Sequence, residues 1–381
     1  MIVVVGSGLA GYSLIREFRK LDKTTPVTLI TSDDGASYSK PMLSTGFAKD
    51  KTADQLVMSE AGKMAEQLNI DIRINTRVTG IEPSAHLITI GHEKLPYTQL
   101  VLAVGAEVRH VPMAGTGADA IRSVNDLTDY RILRAGLSEG QTVAILGAGL
   151  IGCEFANDFV LGGLKVHVIA PSETVLPLLV PSAVGHALEK GLTDAGVCFH
   201  LGQTATTVDR VGDGFELTLS QGGRVSADRV LSAIGLKART ALAQAAGLEV
   251  RQGIVVDAFC QTSSPDIFAL GDCAEVEGQN LQYVLPLMAC AKALARTLAG
   301  QPEAVHFPVM PVVVKTPACP VVVVPAEGEG QWQIEGHTDE LDIVARFLDA
   351  QGRLTGFALA GASVSQKQSM THDVEASRHT N

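Results

Sequence analysis

Two stretches of the chain repeat one arrangement of apolar and polar positions. Ile2–Val5 and Thr142–Leu146 are short, mainly apolar runs, and each passes through a few glycines into a segment whose apolar residues recur at helical spacing. In the first segment these are Leu14, Ile15, Phe18 and Leu21; in the second they are Phe155, Ala156, Phe159 and Val160. A second apolar run follows each, at residues 27–30 and 166–169. The pattern predicts strand, turn, helix and strand twice over, the unit from which parallel α/β sheets are built. From about Phe307 the pattern changes to alternating Val-rich runs with Pro punctuation, Gly-rich turns around residues 328–336 and a strand pair near 343–359. This predicts a small α+β cap, followed from about Gln366 by a polar, loosely held end.

The turns carry the first candidate chemistry. Gly6-Ser7-Gly8-Leu9-Ala10-Gly11 and Gly147-Ala148-Gly149-Leu150-Ile151-Gly152 both read GxGxxG between a strand and a helix. The first glycine permits a tight turn, the second admits a pyrophosphate to the backbone, and the third lets helix pack on strand. The helix N-terminus then offers free N–H groups to the phosphates. One such string is weak; two, each in strand–turn–helix context, predict two dinucleotide sites. An acid about 20 residues further on accepts ribose hydroxyls in such units. Asp33 or Asp34 follows the first turn and Glu173 the second, each two or three residues past the usual strand-end position. Glu173 reads equally well as an ordinary carboxylate near a helix start. Between Ala170 and Leu179 there is no Arg to pair with a 2′-phosphate, so NADH is expected over NADPH.

At 381 residues the chain is long enough for two or three domains. It has no uninterrupted apolar run of about 18 residues, so no membrane insertion is expected. The residues after Met1 lack the basic start of a signal peptide, which makes the cytoplasm the expected location. The 41 acidic against 30 basic residues give a net charge of −11, which argues against nucleic acid as a partner. Cys153, Cys198, Cys260, Cys273, Cys290 and Cys319 lie far apart, with no CxxC and no His/Cys cluster at ligand spacing. Neither a disulfide framework nor a bound metal is expected.

With the paired turns, the chain resembles the two-dinucleotide-binding flavoproteins, in the branch of rubredoxin and ferredoxin reductases. Leu102-Ala103-Val104-Gly105-Ala106 and Ser232-Ala233-Ile234-Gly235 are similar to the family's ATG-like crossings between domains. The stretch from Thr262 to Ala274, with Gly271-Asp272 at its strand end, resembles the second FAD motif. Its carboxylate can accept from ribitol hydroxyls, or Asp272 can cap the following helix. The resemblance implies a glutathione-reductase-like fold of two Rossmann-like domains plus a small C-terminal domain. FAD would occupy residues 1–108 and 229–308, NADH 109–228, and the cap 309–381. It assigns to FAD Gly6, Gly8, Leu9, Ala10, Gly11, Asp33, Asp34, Lys40, Pro41, Val78, Ala103, Gly105, Gly271, Asp272, Val284 and Lys315. It assigns to NADH Gly147, Gly149, Leu150, Ile151, Gly152, Glu154, Glu173, Ile234 and Gly235.

Within that family the cysteines discriminate between chemistries. Disulfide reductases carry CxxxxC after the second strand, where this chain reads Tyr38-Ser39-Lys40-Pro41-Met42-Leu43-Ser44, and no cysteine precedes Cys153. Thiol relay is therefore not expected. The resemblance implies hydride transfer from NADH to flavin N5, then single-electron transfer to two molecules of rubredoxin. Residues 39–44 look like the RPPLSK element, with Lys40 at the Arg position and Ser44 or Thr45 where the family's Lys would stand. Val312-Val313-Val314-Lys315-Thr316-Pro317 resembles the VKTP segment of rubredoxin and flavorubredoxin reductases. Lys40 and Lys315 are thus the candidate cations beside the flavin, where an ammonium would stabilise the anionic reduced form; a solvated edge lysine is the plainer reading of each. Glu154 resembles the acid on the nicotinamide side, or is a surface helix carboxylate. A helix opening near Pro286 would point its N-terminus at the flavin.

Reductases of flavorubredoxin, ferredoxin or a Rieske oxygenase component are the neighbouring readings, and an NADH-gated binding protein similar to apoptosis-inducing factor is the reading outside catalysis. An acidic chain would repel an acidic carrier unless lysines gather at the docking face, for which Lys40, Lys49, Lys51, Lys292 and Lys315 are candidates. The short cap favours a monomer.

Overall fold

The strand Ile2–Val5 is apolar at every position and buried at every position, which places it inside a parallel sheet covered on both faces. Its neighbours are Val27–Ile30 and Gln99–Leu102, with Val5 level with Ile30 and Leu102. The sheet has five strands in the order Ile267–Ala269, Gln99–Leu102, Ile2–Val5, Val27–Ile30, Asp71–Arg73, and all its pairings are parallel. The helix Leu9–Leu21 buries Leu14, Ile15 and Phe18 as the spacing predicts, whereas Leu21 at its last turn lies exposed. The helix Val284–Leu298 starts two residues before the expected Pro286.

The computed structural model describes residues 1–110, 112–337 and 340–378. They form two compact units: one of Met1–Lys40, Asp54–Glu107 and Leu236–Phe307, the other of Pro41–Ala53, Val108–Gly235 and the chain from Pro308 onward. The first holds the five-stranded sheet.

The second unit is built on a four-stranded parallel sheet, in the order Val197–His200, Lys165–Ile169, Thr142–Leu146, Arg229–Ser232. One face carries the helices Leu150–Leu161 and Ser182–Asp194. The other is covered by an antiparallel layer of Ala205–Val211, Gly214–Leu219 and Arg224–Ala227, whose Val208, Phe215 and Leu217 pack with Ala144, Leu146 and Ile169. The expected cap is a five-stranded antiparallel sheet with Val312–Val314 and Gly330–Glu335 at its edges. Its Val321, Val323, Ala345 and Ala358 join the same apolar core as Val166, Val168 and Leu188. Cap and nucleotide-type sheet therefore share one interior.

The expected loose end is corrected. Lys367–Arg378 is a helix, polar overall, that buries Met370 and Val374 against Phe357 and Leu359 of the cap sheet. Two apolar residues one turn apart suffice to dock it, a signal too sparse to stand out in so polar a segment.

Candidate functional site

The two glycine turns have the same geometry. Val5, Leu102 and Ala269 are in register across three parallel strands, so the turn after each strand emerges at the same edge. Gly6 has φ +114°, and a Cβ there would lie 2.2 Å from the Ala103 carbonyl oxygen. A Cβ on Gly11 would lie 2.0 Å from the Gly6 carbonyl oxygen, so the helix can sit on the turn only because both residues lack side chains. Gly271, after the third strand, has φ +75°, and a Cβ there would lie 2.8 Å from the Ala10 methyl. Gly147 and Gly152 repeat the arrangement in the second unit, at φ +110° and with a Cβ of Gly152 falling 2.0 Å from the Gly147 oxygen. In that unit Ala233, just before Ile234 and Gly235, packs over Gly147.

The middle glycines differ from their neighbours: nothing lies within 4 Å of where a Cβ of Gly8 or Gly149 would stand. Each is the N-cap of its helix, and neither helix start has a side-chain cap or an acid in its first turn. The orphan N–H groups thus face open space, the arrangement that takes a phosphate. A cleft of about 610 Å³, open to solvent, runs from Ser7, Gly8 and Leu9 past Arg16 to Ala36 and Ser37. These features fit a dinucleotide in the first unit and a second one in the other.

The first unit also organises its acid. Asp33 Oδ1 accepts from the Ser7 hydroxyl at 2.8 Å, the Thr31 hydroxyl at 2.6 Å and the Gly35 N–H at 2.9 Å. That holds the carboxylate on the turn even though it lies past the strand end. Asp34 instead bonds its own loop, accepting from Ala36 N–H. Tyr12, whose hydroxyl donates to Gly35, is pushed up to about 12 by burial and by Asp33, so it remains a donor. Ser7 and Thr31 were not candidates from sequence; their signal is only that polar residues border an otherwise apolar strand end.

Asp272 does not cap the next helix. It lies in a single 3-10 turn, Gly271–Cys273, with the Lys40 ammonium 3.4 Å from its carboxylate. Ala103 and Val78 are buried in the same unit, Gly105 takes φ +68°, and Val284 is exposed at its helix start. Pro41 and Lys315 belong to the second unit, with all the residues assigned to NADH. Glu173 lies exposed on the loop after Lys165–Ile169, its carboxylate against Gly202.

Glu154 is not a surface carboxylate: its side chain is 0% exposed. Its oxygens accept from the Ser44 hydroxyl at 2.5 Å, from the Lys315 backbone N–H at 3.0 Å and from the Lys315 ammonium. The ammonium also bonds Ser44, and its side chain remains 32% exposed. Lys315 is therefore no solvated edge lysine, and it is not free to serve in a basic docking patch. Ser44, where the family's Lys was expected, receives a cation from a distant strand.

Asp158, one helical turn on, holds the segment that carries Ser44. Its carboxylate accepts from the N–H groups of Phe47 at 2.8 Å and Ala48 at 3.0 Å, and burial pushes its pKa up. Phe47 stacks edge-on against Phe159 at 5.5 Å, and Tyr130 donates to the Lys51 carbonyl. Asp158→Ala leaves two N–H groups without acceptors, so denaturant unfolding is expected to show a loss of about 2–4 kcal/mol. Asp158→Asn, which keeps one acceptor, should lose less than half of that; equal losses would mean that the bonds do not hold the segment.

All six cysteines are free thiols and only Cys198 is exposed. Burial pushes Cys153 well above the ordinary thiol range and Cys273 and Cys319 up to about 11, which keeps those sulfurs protonated and unreactive. Where the chain shows no His/Cys cluster at linear ligand spacing, the fold brings the ligand atoms of His167, Cys198 and His200 within 4.8 Å of one another. They sit on neighbouring parallel strands, so linear spacing does not show the cluster.

Two dinucleotide cradles on parallel sheets define a nucleotide-dependent oxidoreductase. The chain belongs to the pyridine nucleotide-disulphide oxidoreductase family, whose model matches residues 1–295. Residues 304–374 match a rubredoxin binding C-terminal domain. A rubredoxin-NAD(+) reductase of Alcanivorax borkumensis is 49% identical over 378 residues, covering 98% of each chain. One of Acinetobacter baylyi is 43% identical over 377 residues, covering 96% of this chain and 95% of that one. The putidaredoxin reductase–putidaredoxin complex is similar in structure, with TM-score 0.89, 25% identity and coverage of 98% of this chain and 92% of that one.

Proposed function

We propose that the chain is an FAD-containing reductase that takes electrons from NADH and delivers them singly to rubredoxin. The observation that carries this is the presence, in one chain, of two dinucleotide cradles and a C-terminal segment matching a rubredoxin-binding domain. FAD is assigned to the first unit, whose boundaries fall at Lys40, Asp54, Glu107 and Leu236 rather than at 108 and 229, NADH to the parallel sheet of the second unit, and the acceptor to 309–381. Bound FAD supplies the conversion of a two-electron donor into one-electron steps.

The chain's own residues position and tune. The helix starts at Leu9 and Leu150 hold the two pyrophosphates, Asp33 takes a ribose, Asp272 the ribitol side, and Glu173 the NADH ribose. Glu154 fixes Lys315 and Ser44 in one arrangement, so that the Lys315 ammonium is held against a buried counter-charge. The buried thiols take no part, in agreement with the missing CxxxxC. No helix among the described residues is long and apolar enough to cross a membrane, and the free thiols support a reducing compartment, which we take to be the cytoplasm.

Anaerobic stopped-flow mixing tests this. NADH should bleach the flavin of the purified protein rapidly, and oxidised rubredoxin should restore its colour, while a [2Fe–2S] ferredoxin restores it at least about tenfold more slowly. Preference for the ferredoxin would overturn the acceptor, and a flavin that NADH does not bleach would overturn the reading as a whole.

A further inference from the structure

His167, Cys198 and His200 form a second constellation that the redox reading leaves unused. His167 pairs with Cys198 across neighbouring parallel strands, and His200 pairs with Ile169 two positions further on. Side chains alternate along strands and match between partners in register, so these three project from one face of the sheet. That face also carries Ala144 and Ile169, which are covered by the antiparallel layer, while Val166, Val168 and Val197 enter the core on the other face. Val197–His200 is the edge strand. The three donors thus stand at the margin of the cover, with Cys198 exposed and both histidines half-buried.

The distances suit a cation. His167 Nδ1 lies 3.0 Å from His200 Nε2, which in turn lies 3.8 Å from Cys198 Sγ. In a tetrahedral site with metal–nitrogen bonds of about 2.0–2.1 Å and a metal–sulfur bond of about 2.3 Å, these separations are about 3.3 and about 3.6 Å. Adjustments of a few tenths of an ångström convert these two separations, and the third pair, His167 with Cys198, lies within 4.8 Å. His200 Nε2 alone meets both of the other groups, His167 Nδ1 and Cys198 Sγ, whereas a cation would engage all three groups directly.

We propose that His167, Cys198 and His200 bind a borderline-soft divalent cation of the zinc type, with the fourth position open to water on the Cys198 side. Two imidazoles and a thiolate favour such an ion over magnesium or calcium, which require oxygen ligands. The chain beyond His200 is bonded to the loop that carries Glu173: Ala170 N–H donates to the His200 carbonyl, and Gly202 N–H donates to Ser172. The ion would therefore brace the end of the edge strand against that loop.

The site does not depend on the assignment of the electron acceptor, and zinc itself is the probe. Chelator-stripped holoprotein is titrated with Zn²⁺ by calorimetry, and the loaded protein is examined by X-ray absorption. One ion is expected, with two nitrogens at about 2.0–2.1 Å and one sulfur at about 2.3 Å. Cys198→Ser should remove the sulfur shell, and Cys198→Ser and His200→Gln should each weaken binding at least about tenfold. Cys198 is exposed, so an unchanged unfolding midpoint of metal-free Cys198→Ser would confirm that the fold survives. No uptake by the wild-type protein, a shell without sulfur, or wild-type affinity in either variant would overturn the proposal.

Discussion

Gly11→Ala is expected to yield protein depleted of flavin, whereas Gly152→Ala should keep its flavin but be bleached more slowly by limiting NADH. In each case the new methyl would lie 2.0 Å from a backbone carbonyl oxygen, that of Gly6 or of Gly147. No rotamer exists to relieve a clash between Cβ and backbone, so the helix start must move off its turn. Alanine's higher helix propensity returns only about 1 kcal/mol, against a strain of about 1–3 kcal/mol or more for overpacking. The displaced element is the helix start whose N–H groups face the open space proposed to take the phosphates. At about 1.4 kcal/mol per tenfold, a net cost of up to about 2 kcal/mol lowers nucleotide affinity by up to roughly thirtyfold. The flavin-to-protein absorbance ratio and the dependence of bleaching rate on NADH concentration read the two effects separately. A flavin-replete Gly11→Ala, or a Gly152→Ala that binds NADH normally, would show that the turns do not hold the ligands assigned to them.

The second large effect concerns Lys315 and Glu154, which should shift the flavin midpoint potential in opposite directions. If Lys315 serves the flavin as proposed, Lys315→Met removes an ammonium that favours a negatively charged reduced flavin. The potential should fall by roughly 30 mV or more, about 1.4 kcal/mol for a two-electron couple. Glu154→Gln keeps the shape but leaves the ammonium without its counter-charge, so the potential should rise. Removing one member of a fully buried pair costs about 3–5 kcal/mol; with Lys315 32% exposed, about 1–3 kcal/mol of stability is expected for Glu154→Gln. A purely structural pair would destabilise in both variants and leave both potentials unmoved. Shifts of the same sign would equally remove Lys315 from the flavin side.

The paired turns were legible because their information is local: strand, glycines and helix lie within a dozen or so residues, and the glycines are dictated by backbone clashes. Asp33 was legible as one of two acids, but only the hydroxyls of Ser7 and Thr31 distinguish it from Asp34. Glu154 and Lys315 were each named from resemblance, yet nothing along the chain announced that they pair with one another and with Ser44. The same limit hid His167, Cys198 and His200, which parallel strands bring together without a shared linear spacing. The helix Lys367–Arg378 was missed for another reason, because it docks through Met370 and Val374 alone.

The common interior of the cap and the nucleotide-type sheet has an evolutionary corollary. Ala318 N–H donates to Asn157 of the glycine-turn helix, and Gly191 is open to Cys319 because it has no side chain of its own. A lineage could not exchange its carrier-recognition module as a cassette, since a foreign module would arrive without the Ala318, Cys319, Val321 and Val323 that meet Asn157, Gly191 and the nucleotide-type sheet. New carrier preferences would have to emerge by change on the outer surface of an inherited module, with its inner face kept constant. Chimaeras joined near residue 308 should therefore fold only when both halves come from parents that agree at these inner positions.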